Sequence, residues 1–377
     1  MAGIYIHIPF CKKRCIYCDF YSTTQSAMKE IYMDALGEEL KIRKDYIQGE
    51  KIKTIYLGGG TPTQISFDKL NTLFKIIYSE FIVVSEAEIT IEANPDDLTL
   101  EYISSLRNLP FNRISIGIQT FQERILKIIN RRHTARQAIK AYEDCRNAGF
   151  DNISIDLIYG LPGESLTDWK EDVEKAIALK PEHLSAYSLI YEEGTELWNL
   201  REKHAIEEAD ESLSLRMFNY LIDKMNAAGY EHYEISNFCQ PGKYSKHNSS
   251  YWTGEKYLGC GPSAHSYNGK TRQWNVASLN KYMKGIKERT PIFELETLNE
   301  AMRYNDYIIT RLRTSWGMNL DKLMEIFGRN FYDYCLKMAR NHIEQGTLEI
   351  KDGIMKLTRK GIFISDGIMS DLLWVDD

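Results

Sequence analysis

The sequence predicts an α/β fold: a partial (β/α)6 barrel of the TIM type, followed by a smaller C-terminal winged-helix-like α+β module. Short β-type runs alternate with amphipathic helical stretches through the first half of the chain, which indicates repeated βα units around a parallel sheet. Six such units form a curved, incomplete barrel, short of the full eight. Near the end of the chain, helical segments instead precede two short β-type runs joined by a Lys-Asp-Gly turn, which is typical of a hairpin.

The positions of the individual elements follow from these patterns. Barrel strands are predicted at residues 4–8, 53–57, 87–93, 113–119, 152–158 and 183–190. Helices are predicted between them at 28–46, 67–78 and 135–148, and a capping box of Ser165 and Asp168 marks the start of another. One long helix is predicted at 207–228. The C-terminal module is predicted to contain helices at 299–311, 320–327 and 331–345 and strands at 348–350 and 354–357.

The two faces of the predicted barrel strands differ in character. In the strand at 113–119, three isoleucines share one face, whereas Ser115, Gly117 and Gln119 share the other. Parallel strands that are packed on both faces have nearly continuous apolar runs, and these strands do not. The isoleucine face is therefore predicted to meet the helices, and the polar face to line a cavity for a large polar ligand. An antiparallel sheet with one solvated face is the alternative, and the intervening helices disfavour it.

Changes in composition divide the chain into three predicted regions. Residues 1–229 contain the barrel and the helix that follows it. Residues 230–290 are rich in Gly, Ser, Asn, Tyr and Trp, which predicts a loop-rich aromatic segment packed on the barrel. Residues 291–377 contain the C-terminal module.

Composition and charge also restrict the class of protein. The 377 residues include 47 basic and 53 acidic side chains, so the net charge of -6 gives no general attraction to nucleic acid. No apolar run approaches the roughly 20 residues that a membrane span requires. Polar residues interrupt the apolar stretch at the N-terminus, unlike in a signal peptide. We therefore expect a soluble, cytoplasmic protein without a nucleic-acid partner; the sequence does not indicate its oligomeric state.

Three of the seven cysteines, Cys11, Cys15 and Cys18, crowd into one loop directly after the first strand. Three thiolates can ligate a metal cluster and leave one iron open for a substrate. The basic residues at 12–14 favour the thiolate form. A structural zinc site, completed by His7 or Asp19, is the alternative. The four scattered cysteines are expected to be small core residues.

The spacing C-x3-C-x2-C resembles that of the radical S-adenosylmethionine (SAM) superfamily. Further segments resemble its anaerobic coproporphyrinogen III oxidase (HemN-like) family: IYIHIPFC at 4–11, GGGTP at 58–62, IEANP at 91–95, SIGIQTF at 115–121, NRRHT at 130–134 and IDLIYGLPGES at 155–165. The resemblance implies a [4Fe-4S] cluster on the three loop cysteines, with SAM bound to the fourth iron and cleaved to methionine and a 5'-deoxyadenosyl radical. It also implies SAM contacts by Tyr5, Tyr17, Gly59, Gly60, Thr61, Glu92, Gln119, Arg131 and Asp156.

Three features resemble the haem-chaperone (HemW) branch of this family. Phe20 occupies the position of a fourth cysteine in the oxidases, and HNSSYW at 247–252 is similar to the HNxxYW signature of the branch. The oxidases also have a longer arm before the cluster, whereas ten residues precede Cys11 here. The resemblance implies haem as a further cofactor and delivery of haem to membrane haemoproteins.

Within this branch, His247 is the expected haem contact or ligand, and His265, Cys260 and Cys239 are further candidates. The alternative function is oxidative decarboxylation of coproporphyrinogen III to protoporphyrinogen IX. The sequence leaves open whether SAM is cleaved in the working cycle, and therefore whether the chain is an enzyme. No catalytic residue is assigned from the sequence.

Overall fold

The predicted barrel strands form the centre of a 12-stranded sheet in the computed structural model, which describes residues 1–375. Six parallel strands follow one another across the sheet in chain order: β1 (Ala2–Ile8), β2 (Ile52–Gly59), β3 (Val83–Ala93), β4 (Arg113–Gln119), β5 (Ile153–Tyr159) and β6 (His183–Ser188). This arrangement confirms the expected α/β class with a partial barrel.

Helices cover the isoleucine face of this sheet, as the alternation predicts. They are α1 (Lys29–Arg43), α2 (Phe67–Glu80), α3 (Leu100–Arg107), α4 (Glu123–Ile128), α5 (Ala135–Asn147) and α6 (Leu166–Leu179). Ile4, Ile6 and Ile8 of β1 are fully buried in the core between sheet and helices. The Ser165 and Asp168 capping box is present at the start of α6, where it satisfies backbone N–H groups that have no partner within the helix.

The sheet continues beyond the barrel on both edges, where the sequence predicts mainly loops. After α7 (Glu196–Glu202) and α8 (Glu211–Ala227), the chain forms β7 (Glu231–Glu234), β8 (Asn237–Cys239), α9 (Lys246–Thr253), β9 (Lys256–Cys260), β10 (His265–Tyr267), β11 (Thr271–Asn275), α10 (Leu279–Glu288) and β12 (Phe293–Thr297). Strand β8 pairs with β6, whereas β9 pairs with β1. Residues 230–290 are therefore largely ordered extensions of the sheet, because the open edges of the partial barrel supply pairing partners.

A buried ion pair joins α1 to the β9–β11 extension. The side chains of Glu39 and Arg43, one turn apart, are 0% and 6% exposed and lie 2.8 Å from each other. Arg43 also donates to the carbonyl of Gly259, and Glu39 accepts from the amide of Gly261. Arg43 donates as well to Ser266 of β10 and Gln273 of β11, so each strand of this extension has a contact to α1 that is distant in sequence.

The C-terminal module has its own core. It consists of α11 (Glu300–Leu312), β13 (Met318–Asn319), α12 (Leu320–Glu344), β14 (Leu348–Lys351), β15 (Ile354–Leu357), α13 (Arg359–Ile362) and α14 (Ser365–Asp371). The three strands form a separate sheet, which agrees with the expected winged-helix-like module. The helical conformation is interrupted at Gly328, whose φ of 77° and ψ of -177° are not helical, which agrees with the break predicted between the helices at 320–327 and 331–345. Among the helices of residues 1–375, none has the length and apolar character to cross a bilayer.

Candidate functional site

A polar cavity of about 450 Å³ lies inside the partial barrel and opens where the parallel strands end; we call it the barrel cavity. Its walls include the polar side chains that alternate with the buried isoleucines. Those at strand ends are Glu92 and Gln119, and those deeper in the strands are Arg113, Ser115 and Asp156. Cavities at the carboxyl ends of parallel strands are the usual place for active sites in barrel folds.

The three loop cysteines surround the mouth of the barrel cavity. Cys11, Cys15 and Cys18 are each half-buried and line it, whereas Cys145, Cys239, Cys260 and Cys335 are buried elsewhere. Burial raises the pKa of the Cys11 thiol and raises that of Cys18 to about 11, so the basic loop alone does not produce thiolates. Within residues 1–375, no three His, Cys, Asp or Glu side chains converge to hold a single metal ion.

Residues of the NRRHT segment hold this loop in place. Asn130, with a φ of 64°, donates from its side-chain amide to the carbonyl of Arg14 at 2.8 Å. The guanidinium of Arg131 lies 3.4 Å from the sulfur of Cys15 and donates to Asn94 at 2.8 Å. The expected SAM contact Arg131 thus also contacts a cysteine of the loop.

Lys12 has a different role from the one expected. Its ammonium does not face a thiol but pairs at 2.7 Å with Asp97, whose side chain is 2% exposed. Asp97 also accepts hydrogen bonds from Thr63, Gln64 and Arg132. One carboxylate therefore connects the cysteine loop, the segment after GGGTP and the NRRHT segment. Sequence reasoning missed Asp97, although it follows the IEANP segment by two residues.

The glycines after β2 allow the chain to pass close to the cysteine loop. A Cβ atom on Gly59, whose φ is 106°, would lie 2.6 Å from the His7 ring. A Cβ on Gly60 would lie 2.9 Å from the carbonyl of Ile8 and 3.1 Å from the Cys11 sulfur. Only glycine fits such close approaches without displacing the backbone. Gly59, Gly60 and Thr61 all line the barrel cavity, as the resemblance implies.

The two predicted acidic residues face the barrel cavity. Glu92 accepts from the hydroxyl of Tyr56 at 2.7 Å and from the amide of Gly59 at 3.1 Å, and burial raises its pKa to about 7. Asp156 accepts from Ser115 at 3.1 Å, and burial also raises its pKa. Both carboxylates are thus preorganised acceptors for hydroxyl or ammonium groups of a ligand.

Gln119 also lines the cavity, and its backbone is strained. Its φ is 71°, in the left-handed region that glutamine rarely adopts, and the pairing of β4 with β5 is irregular at this point. Strain of this kind tends to persist at functional sites, where the surrounding structure enforces it. Strand alternation and the irregular pairing at the end of β4 therefore both contribute to the position of the Gln119 side chain in the cavity.

The two tyrosines predicted to contact SAM occupy different places. Tyr17 lines the barrel cavity beside the cysteines. Tyr5 instead lines a second, larger cavity, and its hydroxyl lies 3.1 Å from Nδ1 of His7. The structure therefore brings together all the predicted SAM residues except Tyr5.

His247, the expected haem contact or ligand, is buried in the structure. The side chain is 1% exposed and lines neither cavity. Its Nδ1 lies 2.9 Å from the hydroxyl of Thr54, and its Nε2 lies 2.8 Å from the hydroxyl of Tyr251. Both ring nitrogens already have partners, so ligation of iron through either nitrogen would require the contact at that nitrogen to break. The sequence motif could not reveal this, because it does not fix the direction of the side chain.

Arg113 is a buried charged residue of the barrel cavity that sequence reasoning did not select. The residue is 1% exposed, and its Nε and Nη1 atoms have no hydrogen-bond partner within the described part of the chain. Its positive charge opposes the effect of burial on the pKa of the neighbouring carboxylates Asp156 and Glu92. The sequence could have indicated this residue, because Arg113 is two residues from Ser115 and six from Gln119 and therefore shares their face of the strand.

Replacing Asp156 with alanine should weaken SAM binding by roughly 1–3 kcal/mol, because ligand hydroxyls would lose a charged acceptor. Isothermal titration of SAM into the reconstituted protein measures this change. Asp151→Ala is a matched control, since that aspartate is exposed just before the same strand. An unchanged dissociation constant in Asp156→Ala would contradict the assignment.

A partial parallel barrel with three cysteines at the mouth of a polar cavity is the architecture of radical SAM proteins. Residues 5–176 match the family model for the Radical SAM superfamily, and residues 298–364 match the HemN C-terminal domain. Membership of this superfamily implies a [4Fe-4S] cluster and SAM.

The particular family follows from relatives that match almost the whole chain. The heme chaperone HemW of Bacillus subtilis (strain 168) is 34% identical over 376 residues, which cover 99% of both chains. The heme chaperone HemW of Lactococcus lactis subsp. lactis (strain IL1403) is 36% identical, over 99% of this chain and 97% of that protein. The chain therefore belongs to the HemW family.

The fold also matches a solved structure. Coproporphyrinogen III oxidase (HemN) from Escherichia coli, a radical SAM enzyme, superposes with a TM-score of 0.86 at 23% identity. The match covers 98% of this chain and 89% of that one. At this level of identity, the likeness shows a shared fold.

The residues of the barrel cavity fit the implied cofactors. Gly60 leaves the sulfur of Cys11 uncovered on the side where a side chain would contact it. The Nε atom of Arg131 is buried and has no hydrogen-bond partner among residues 1–375, and Glu92 and Asp156 supply acceptors in the same cavity. Thiols, an arginine and carboxylates around one polar space are the donor set that a cluster and an amino-acid-bearing nucleoside require.

Proposed function

We propose that this chain is a haem chaperone that binds a [4Fe-4S] cluster, SAM and haem, and passes haem to acceptor haemoproteins, among them membrane proteins. The observation that carries the proposal is the combination of full-length HemW relatives with a barrel cavity that has the three cysteines at its mouth. Phe20 at the position of a fourth cysteine favours this function over oxidation of coproporphyrinogen.

In this proposal, Cys11, Cys15 and Cys18 ligate the cluster, which can supply an electron to bound SAM. Arg131 offsets the negative charge of the thiolates, since it already lies beside Cys15. Asp97 keeps the loop in position through Lys12. These residues determine where the cluster sits relative to the cavity.

The strand ends then hold SAM. Thr61 and the backbone around Gly60 lie beside Cys11, which places them next to the aminoacyl end of a ligand bound to the cluster. Asp156 and Glu92 accept hydrogen bonds from hydroxyl or ammonium groups. Gln119 and Tyr17 complete the wall on the side of the cysteine loop.

A paired assay on anaerobically reconstituted protein tests the proposal. Haem is titrated and followed by its Soret band, and in parallel coproporphyrinogen III is supplied with SAM and a reductant. We expect haem to be retained and no protoporphyrinogen to form. Formation of protoporphyrinogen, or failure to retain haem, would overturn the proposal.

A further inference from the structure

A second cavity, of about 790 Å³, separates the β9–β11 extension from the C-terminal module; we call it the side cavity. Its volume falls within the roughly 300–1,000 Å³ typical of ligand sites. One wall comes from α9 and the strands that follow it, and the other from α11 and α12. Asp19 and Phe20, directly after the third cluster cysteine, line both the side cavity and the barrel cavity.

The two walls of the side cavity are aromatic. On the sheet side, the rings of Tyr251 and Tyr257 are 4.7 Å apart, and Tyr267 lies beside Tyr257. On the helix side, the rings of Tyr307 and Phe327 are 5.5 Å apart. Aromatic surfaces on two facing walls suit a flat, apolar ligand with a large ring system.

The side cavity also contains positive charge. Three arginines and two aspartates line it. Arg272 forms ion pairs with Glu296 and Asp306. Arg303, in contrast, is exposed and has no ion pair among residues 1–375. A free guanidinium binds a carboxylate well, so the cavity favours a flat ligand that carries acidic groups.

An imidazole completes this set of groups. Two histidines line the side cavity, and both ring nitrogens of His7 have partners, Tyr5 and the carbonyl of Tyr21. His265 is exposed, and its ring makes no hydrogen bond within the described part of the chain. Partial loss of hydration at the ring, and then the positive charge of Arg272, lower the pKa of His265, which favours the neutral form that ligates iron.

We infer that the side cavity is the haem site, with His265 as the axial ligand of the iron and Arg303 as a partner of a propionate group. The inference rests on the proposed function, since it presumes that the chain binds haem. It places the last two residues of the HNSSYW segment, Tyr251 and Trp252, in the wall of the site. His247 then positions Tyr251 through the contact at 2.8 Å and does not touch the iron.

Haem titrations of the full-length reconstituted protein test this assignment. In His265→Ala, haem affinity should fall about tenfold or more, the Soret band should shift, and added imidazole should restore the spectrum. Arg303→Ala should weaken binding of haem by roughly tenfold but not that of haem dimethyl ester, which lacks free propionates. His204→Ala, at an exposed histidine outside both cavities, is the matched control and should bind like the wild type.

The outcomes separate the inference from the function on which it rests. If the wild type binds no haem, the proposed function fails and this site fails with it. If the wild type binds haem and both His265→Ala and Arg303→Ala bind it with unchanged affinity and spectrum, the side cavity is not the site. If the Soret band changes in His247→Ala but not in His265→Ala, and circular dichroism shows that the fold is intact, His247 is the ligand and the inference is overturned.

Discussion

Replacing Cys15 with alanine is expected to abolish assembly of the [4Fe-4S] cluster. Cys15 is the middle cysteine of the loop in sequence, and its sulfur lies 3.4 Å from the guanidinium of Arg131. Without it, two thiols remain, whereas the proposed cluster needs three thiolates and leaves its fourth iron to SAM. Anaerobic reconstitution followed by iron analysis and visible absorption measures the loss.

A cysteine outside the loop provides the control for this prediction. Cys335 is buried in the core of the C-terminal module, so Cys335→Ala should assemble the cluster as the wild type does. The same should hold for variants of Cys145, Cys239 and Cys260. Full iron loading of Cys15→Ala would show that the loop cysteines Cys11, Cys15 and Cys18 are not the ligand set.

Replacing Arg43 with methionine should lower the free energy of unfolding by about 3–5 kcal/mol, because Glu39 would remain buried without its cation. Four other acceptors of Arg43 would also lose a donor: the carbonyl of Gly259 and the side chains of Asn275, Ser266 and Gln273. Equilibrium unfolding in urea, followed by far-UV circular dichroism, measures the change.

Lys41→Met on the same helix is the control, since Lys41 pairs with Glu38 at the surface. Exposed pairs contribute little, so that variant should unfold almost like the wild type. Equal stability of Arg43→Met and the wild type would mean that the buried pair does not hold the β9–β11 extension in place. Because this extension forms one wall of the side cavity, Arg43→Met should also weaken haem binding.

Strand alternation predicted much of the barrel cavity. Glu92, Gln119 and Asp156 face it because their neighbours are isoleucines that pack against the helices. The cysteine spacing placed the loop after β1 at the carboxyl ends of the strands. These features depend on local sequence, with a period of two residues, and local patterns are what a single sequence records most clearly.

Other features depend on contacts between distant parts of the chain. The strands β9 and β8 form because β1 and β6 have open edges, which the short runs themselves do not reveal. The pair of Glu39 and Arg43 has the spacing of an exposed helical pair and gives no sign of burial. His247 was expected at the haem because of its motif, but the packing of α9 turns its ring toward Thr54.

The transfer of haem to an acceptor tests the central claim most directly. The reconstituted protein is loaded with haem, freed of excess ligand and mixed with an apo-haemoprotein, and the acceptor's own absorption spectrum is followed. A haem chaperone should convert the apo-acceptor to its holo form, faster than the same protein loses haem to buffer alone. If haem stays on the protein, or reaches the acceptor only at the rate of its release into buffer, the chain is not a haem chaperone.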